Sequence, residues 1–233
     1  MPNPRYDLLL LDFDGTLCAT RPAIEHCLMA ALTEETSHRP STAAIGATVE
    51  RGIGLDETFR LLVPDLLERD PALLPRLVTA YRTRYAEVAD AYTTCFTGWK
   101  ESLESLASWG VKTAVVSNKG QGAVVASLER FGLAQLVALV VGDTPGVAKK
   151  PDAAAFDRLV SPAFPEVSRS RILVVGDTDA DILFARNITA DSCWARYGYG
   201  RQEACAALSP QHTIDSPNEI ERVVAPALDG VRL

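Results

Sequence analysis

Four consecutive leucines, Leu8 to Leu11, run straight into Asp12. So short and uniform an apolar run predicts a strand, Leu8–Asp12, covered on both faces as in a parallel sheet. The same signature returns at Val111–Ser117, Leu136–Gly142, Ile172–Asp177 and Cys193–Arg196. Helix-like segments stand between these runs. Lys100–Ser108 lies between Gly98 and Gly110. Gly122–Phe131 stops at Gly132, which suits a C-terminal cap. Asp179–Asn187 follows an acidic turn, and Pro217–Leu228 lies near the end of the sequence. Strands alternating with helices predict an α/β fold, a doubly wound parallel sheet with right-handed crossovers.

One stretch breaks the alternation. From about Cys18 to about Thr94 the spacing is helical and no convincing strand is read. Pro22–Leu32, Asp56–Leu62 and Leu73–Asp90 carry amphipathic patterns, punctuated by Pro40, Gly46, Gly52, Gly54, Pro64 and Pro71. The expectation is a Rossmann-like core of residues 1–17 and 95–233, interrupted by an all-helical insertion, residues 18–94. No repeat or low-complexity segment is read.

Composition narrows the function. A net charge of −7 with no basic run argues against a nucleic-acid surface, which needs clustered Lys and Arg. An anionic small molecule stays admissible, since a bound metal reverses the local field. The five cysteines form no CxxC pair, and His26, His38 and His212 offer no zinc pattern, so reduced, mostly buried thiols are expected. The Leu8–Leu11 run is too short for a secretion signal, and no segment reaches the roughly 20 apolar residues of a membrane span. A soluble, cytoplasmic protein is expected, with no membrane partner; whether it is a monomer or a homodimer is not readable.

Four segments sit at or just after strand ends, where open α/β sheets bind ligands. Asp12-Phe13-Asp14-Gly15-Thr16 puts two carboxylates two residues apart, with Gly15 permitting a tight turn. Ser117-Asn118-Lys119 offers a hydroxyl, an amide and backbone N–H groups to phosphate oxygens, though alone it reads as an ordinary loop. Lys149-Lys150-Pro151 reads as a solvated loop or as a source of positive charge for phosphate or carboxylate. Gly176-Asp177-Thr178-Asp179-Ala180-Asp181 is not a calcium loop, because Ile182 and Ile188 stand where that loop needs Gly and Glu. A helix dipole accounts for acids at 179 and 181 but less well for Asp177 on the strand end. Together, Asp12, Asp14, Asp177 and Asp181 would crowd four negative charges into one cleft. A hard divalent cation with oxygen ligands resolves that conflict, and Mg2+ is the natural choice.

In this order the segments resemble the haloacid dehalogenase superfamily of phosphohydrolases: Asp-x-Asp-Gly-Thr, a Ser after a strand, a Lys, then Gly-Asp-x-x-x-Asp, over residues 12 to 181. The helical insertion resembles the C1 cap of that family. Ile45-Gly46, Gly54-Leu55, Thr58-Phe59, Tyr81-Arg82 and Ser117-Asn118-Lys119 make the chain most similar to its phosphoglycolate phosphatase branch. The resemblance implies a phosphatase acting on a small phosphorylated metabolite. It implies Asp12 as nucleophile and Asp14 as general acid and then base. Mg2+ would be held by Asp12, the Asp14 backbone carbonyl and Asp177, with Asp181 behind them. Ser117 and Lys150 would grip the phosphoryl group, and Asp14, Gly15 and Asn118 would complete the phosphate site.

The match is not complete. Cys18-Ala19-Thr20 stands where the branch often has an acid, and Lys150-Pro151-Asp152-Ala153 lacks the second proline of Lys-Pro-x-Pro. These departures leave the substrate open among phosphoglycolate, sugar phosphates, nucleotides and biosynthetic esters. Thr16 and Arg51 are candidates for substrate specificity, with Arg21 and His26 behind them. A sugar-phosphate mutase or a pyrophosphatase could use the same nucleophile, and a catalytically silent binding module is the remaining alternative. Asp14 argues against a dehalogenase.

Overall fold

A computed structural model of the chain describes residues 4–225. Strand β1 (Leu8–Leu11) leads into a two-residue strand β2 (Cys18–Ala19). Five helices follow: α1 (Arg21–Glu35), α2 (Thr42–Val49), α3 (Leu55–Leu62), α4 (Pro64–Arg69) and α5 (Leu73–Tyr92). Strand β3 (Thr94–Cys95) pairs antiparallel with β2. Then come α6 (Trp99–Ser108), β4 (Lys112–Gly120), α7 (Gln121–Arg130) and β5 (Leu139–Asp143). A π-helical turn, Phe156–Val160, runs into the short α8 (Ser161–Ala163). The chain continues through β6 (Ile172–Gly176), α9 (Asp179–Asn187), β7 (Asp191–Ala195), α10 (Gln202–Ala207), β8 (His212–Ile214) and α11 (Ile220–Val224).

Six strands form one parallel sheet in the order β5-β4-β1-β6-β7-β8. Numbered along the chain without the short pair, that order is 3-2-1-4-5-6, the doubly wound arrangement. The leucine run is the central strand, in register with β4 (Leu8 opposite Lys112) and β6 (Leu8 opposite Ile172). Its side chains alternate between two cores. Leu9 and Leu11 join Val115, Val175, Leu103 and Val124 on one face. Leu8 and Leu10 join Ala114, Val174, Phe156 and Phe184 on the other. Uniform leucine is therefore the pattern a strand buried on both faces requires. Gly132, just after α7, adopts a left-handed φ of 66°, as its capping position predicts.

The five helices between β2 and β3 bury a separate apolar cluster in which Leu28 and Leu32 of α1 meet Phe59, Leu77 and Tyr81. Pro22 opens α1, and the Ser41 hydroxyl caps α2 by accepting from the Ala44 N–H at 3.1 Å. The sequence reading of this segment needs one correction: both of its ends form the β2–β3 pair, each strand being too short to leave a periodicity. The edge strand β8 was likewise not foreseen, and β5 starts at Leu139 because Ala134–Leu136 forms a 3-10 turn. The C-terminal helix is a 3-10 turn, Pro217–Glu219, followed by α11. The predicted continuation to Leu228 lies outside the described residues. Among the described residues, no helix is long and apolar enough to cross a membrane.

Candidate active site

Leu11 of β1 pairs with Val175 of β6, so the residues leaving these two strands emerge side by side where the winding reverses direction. Asp12 leaves β1, Asp177 leaves β6, and Asp181 lies in the first turn of α9. One carboxylate oxygen from each of these three buried side chains lies within 4.8 Å of the others. The buried Lys150 ammonium donates to Asp12 Oδ1 at 2.7 Å and to Asp181 Oδ1 at 2.6 Å. Asp181 Oδ2 accepts from the Thr178 N–H at 3.1 Å and the Thr178 hydroxyl at 2.7 Å, which ties the carboxylate to the start of α9.

Asp177 is held from both sides. Its Oδ1 accepts from the Thr16 hydroxyl at 2.9 Å and its Oδ2 from the Tyr199 N–H at 2.7 Å. The loop carrying Thr16 is fixed through its carbonyl, which accepts from the Trp99 indole N–H at 2.7 Å and the Tyr197 hydroxyl at 2.9 Å. Gly15, with φ 83°, makes the turn, and any Cβ there would collide with the Asp177 carboxylate. Tyr199 Oη accepts from the Thr20 N–H at 2.6 Å and the Arg21 N–H at 3.0 Å, joining this loop to the start of α1.

Asp14 points elsewhere. Its carboxylate meets the buried Lys119 ammonium, at 3.1 Å from Oδ1 and 3.4 Å from Oδ2. Lys119 in turn lies 4.0 Å from the centre of the Tyr85 ring on α5. Ser117 is buried at the end of β4, its Oγ accepting from the Lys119 N–H at 3.4 Å. Asn118 is committed to structure. Its amide donates to Gly52 O (2.9 Å) and Lys150 O (3.1 Å) and accepts from the Lys150 N–H (2.9 Å). Its side chain therefore ties β4 to the loop after α2, and the expectation that it holds phosphate is left to its backbone.

Of the four carboxylates expected to share one cleft, Asp12, Asp177 and Asp181 are grouped, while Asp14 faces Lys119. Burial, reinforced by Asp181 and Asp14 against the opposing Lys150, pushes the Asp12 carboxyl up to about 6. Burial and the neighbouring Asp12 and Asp181 hold Asp177 well above the usual carboxylate range. Burial opposes the charge on Lys150, yet Asp12 and Asp181 outweigh it and raise the ammonium above ordinary lysine. Lys119 is likewise raised, burial being outweighed by Asp14 and the hydroxyls of Tyr85 and Tyr81. Three buried carboxylates with all-oxygen donors and one lysine are short of positive charge. A hard divalent cation fits that deficit beside the Asp12–Asp177–Asp181 group.

Asp12, Asp14, Ser117, Asn118 and Lys119 line one part of a cavity of about 620 Å³, bounded elsewhere by α1, the residues after α2, α5 and α7. Two specificity candidates do not reach it. Thr16 is fully buried, with its hydroxyl spent on Asp177. Arg51 is exposed and is not among the cavity-lining residues, although its neighbours Gly52 and Ile53 are. Arg21 is taken up by Glu25 (2.7 Å) and Glu50 (3.3 Å), and His26 stacks on Tyr92.

The sequence pattern of haloacid dehalogenase-like hydrolases matches residues 9–195, which spans every element that builds this cluster. The chain belongs to that family. Phosphoglycolate phosphatase of Vibrio parahaemolyticus is 30% identical over 94% of this chain and 96% of its own length. The enzyme of that name from Agrobacterium fabrum is 31% identical over 91% and 90%. Among solved structures, a predicted phosphoglycolate phosphatase from Haemophilus somnus superposes with a TM-score of 0.83 at 24% identity, covering 94% of this chain and 98% of that one. A haloacid dehalogenase-like family protein from Streptococcus pneumoniae gives 0.80 at 18%, covering 94% and 98%. The latter two share the fold. As a haloacid dehalogenase-like hydrolase with phosphatases as its relatives over nearly its full length, the chain is a phosphatase.

Within this family frame, sequence reasoning passed over three side chains that organise the site. Lys119 was visible in the Ser117-Asn118-Lys119 triplet, but nothing in it announced a buried lysine against Asp14. Tyr199 stands in Gly198-Tyr199-Gly200, in the turn after β7. A Cβ at Gly198 or Gly200 would strike Asp177, so the glycines admit the close approach that lets the Tyr199 N–H reach it. Trp99 gave no signal beyond its place after Gly98.

Proposed function

We propose that the protein is a Mg2+-dependent phosphatase that hydrolyses a small phosphate monoester through a phosphoryl group carried on Asp12. The observation that carries this reading is the Asp12–Asp177–Asp181 cluster clamped by Lys150, with Asp12 reaching the wall of the cavity. A carboxylate nucleophile splits one difficult displacement into two easier ones. In the first, an Asp12 oxygen attacks phosphorus and the bond to the ester oxygen breaks. Asp14 gives a proton to the departing alkoxide. In the second, Asp14 takes a proton from water as the water oxygen attacks phosphorus, and the phosphorus–Asp12 bond breaks to release inorganic phosphate.

Ser117 and Lys150 stabilise charge on the equatorial oxygens, and Lys119 orients Asp14. Asp12, Asp177 and the Asp14 carbonyl would hold Mg2+, with Asp181 supporting Lys150 and the start of α9. The ion would supply charge neutralisation between the Asp12 carboxylate and the phosphate. The helices of residues 18–94 act as a cap that excludes water from the cavity. The names of the relatives make phosphoglycolate one candidate substrate. Borohydride trapping during turnover tests the intermediate, since it reduces an acyl phosphate to the alcohol. Peptide mapping is expected to find that reduction at Asp12; reduction elsewhere, or none under steady turnover, sinks the mechanism.

A further inference from the structure

The cavity has two unlike parts. Beyond Asp14 and Lys119 it is lined by Ile24 and Leu28 of α1, Ile53 and Leu55 around the start of α3, Ala86 of α5 and Ala126 of α7. Only Lys119 and Arg82 are cationic among the lining residues, and both have acidic partners. Lys119 is bound to Asp14, and Arg82 reaches Asp143 at 3.5 Å. The two acids at that far part, Asp90 and Asp143, are paired with Arg130 at 2.8 Å and Lys149 at 3.3 Å. A carboxylate on the leaving group would thus meet no unpaired cation among these lining residues. At about 620 Å³ the cavity is also of the size that holds whole organic ligands, and a two-carbon acid would leave most of it to water.

We infer that this cavity selects phosphate esters of alcohols with an extended apolar or aromatic body over phosphoglycolate. The inference takes only the position of the phosphate from the proposed function. The test compares 2-phenylethyl phosphate, ethyl phosphate and phosphoglycolate, all esters of primary alcohols. Burying the phenyl group is expected to raise kcat/KM over ethyl phosphate by roughly 10- to 100-fold. Ala86→Asp and Ala126→Asp, at exposed helical positions, are expected to erase that preference, read as the ratio of kcat/KM for the two esters. Phosphoglycolate turned over as well as the phenylethyl ester, or a preference untouched by both variants, overturns the inference. Calorimetric binding of 2-phenylethylphosphonate against a carboxylate-bearing phosphonate reads the same selectivity without turnover. An inactive enzyme that still prefers the phenyl compound therefore sinks the phosphatase reading alone.

A second observation stands apart from the cavity. Cys18 and Cys95 are direct partners in the β2–β3 pair, through which the chain enters and leaves the helical segment. The Phe96 N–H donates to Leu17 O at 3.0 Å, so Cys18 and Cys95 form the narrow, non-hydrogen-bonded kind of pair. Their Cα atoms then stand about 4.5 Å apart with both side chains on one face, within the range a disulfide spans. Cys18 is buried and Cys95 partly exposed, and both are free thiols.

We propose that hydroperoxides convert this pair to a disulfide that restrains the helical segment. The Cys95 thiolate attacks a peroxide oxygen, the O–O bond breaks and Cys95 becomes a sulfenic acid. The Cys18 sulfur then displaces that oxygen as water. The other peroxide oxygen leaves as the alcohol, or as water when the oxidant is hydrogen peroxide, so two thiols and one hydroperoxide ROOH give one disulfide, one water and one ROH. Mass mapping after peroxide treatment is expected to find Cys18 joined to Cys95. Phosphate release should fall at least twofold, return with a thiol reductant, and be insensitive to peroxide in Cys95→Ala. Peroxide exposure that leaves both thiols free, or a disulfide without effect on turnover in an active enzyme, overturns the proposal.

Discussion

Replacing Lys119 by methionine keeps the stem of the side chain and removes the ammonium that Asp14 faces at 3.1 and 3.4 Å. A charge-assisted hydrogen bond of this kind contributes about 1.5–3 kcal/mol. If all of it serves to orient Asp14 in the transition state, kcat falls by roughly 10- to 150-fold. That is smaller than the 10²- to 10⁴-fold typical of losing a general acid outright, so Lys119→Met should be milder than Asp14→Asn. The assay is steady-state phosphate release with kcat and KM resolved, with thermal unfolding recorded to confirm folding. The decisive element is the double variant. If Lys119 works through Asp14, adding Lys119→Met to Asp14→Asn costs almost nothing further. An undiminished loss in the double variant, or a single variant altered only in KM, refutes the positioning role.

Gly15→Ala places a Cβ against the Asp177 carboxylate at a left-handed φ of 83°, and should lower stability by more than about 1 kcal/mol and raise the Mg2+ concentration needed for half-maximal activity. Thermal unfolding with and without Mg2+ measures both, and an unshifted melting curve with unchanged Mg2+ dependence contradicts the packing argument. Asp7 is hydrogen-bonded to Arg171 at 2.6 and 2.9 Å, chiefly through which its carboxyl is lowered from the ordinary value. Its folded pKa lies below its unfolded one, so its stabilisation is complete above the unfolded value of about 4 and fades as the pH falls through the folded value. The destabilisation caused by Asp7→Asn should therefore shrink in acid, and a gap that widens below pH 4 would reverse the sign of the argument.

How far the sequence revealed all this depended on how much local signal each feature leaves. The leucine run and the other apolar strands carry their burial in composition, so the central strands and the carboxylates at their ends were legible. Asp12, Asp177, Asp181 and Lys150 do meet, although 138 residues separate Asp12 from Lys150. The β2–β3 pair and β8 are two or three residues long and too brief to show a period. Thr16 is a candidate for substrate specificity in the sequence, where nothing tells which way its hydroxyl turns. In fact, the turn at Gly15 sends the Thr16 hydroxyl inward to Asp177. Arg51 illustrates the converse: a charge on a loop near the site says nothing of which way it points. Lys119 and Tyr199 act through contacts 105 and 22 residues away in sequence, which no local pattern encodes.

The central claim is that Asp12 carries the phosphoryl group in a metal-dependent hydrolysis. The measurement that tests it most directly is release of inorganic phosphate from a panel of phosphomonoesters, with Mg2+ and with EDTA, by the native chain and by Asp12→Asn. The account predicts release that requires Mg2+, is abolished by EDTA and is lost in Asp12→Asn. Release that persists in Asp12→Asn, with contaminating phosphatase excluded, would contradict it.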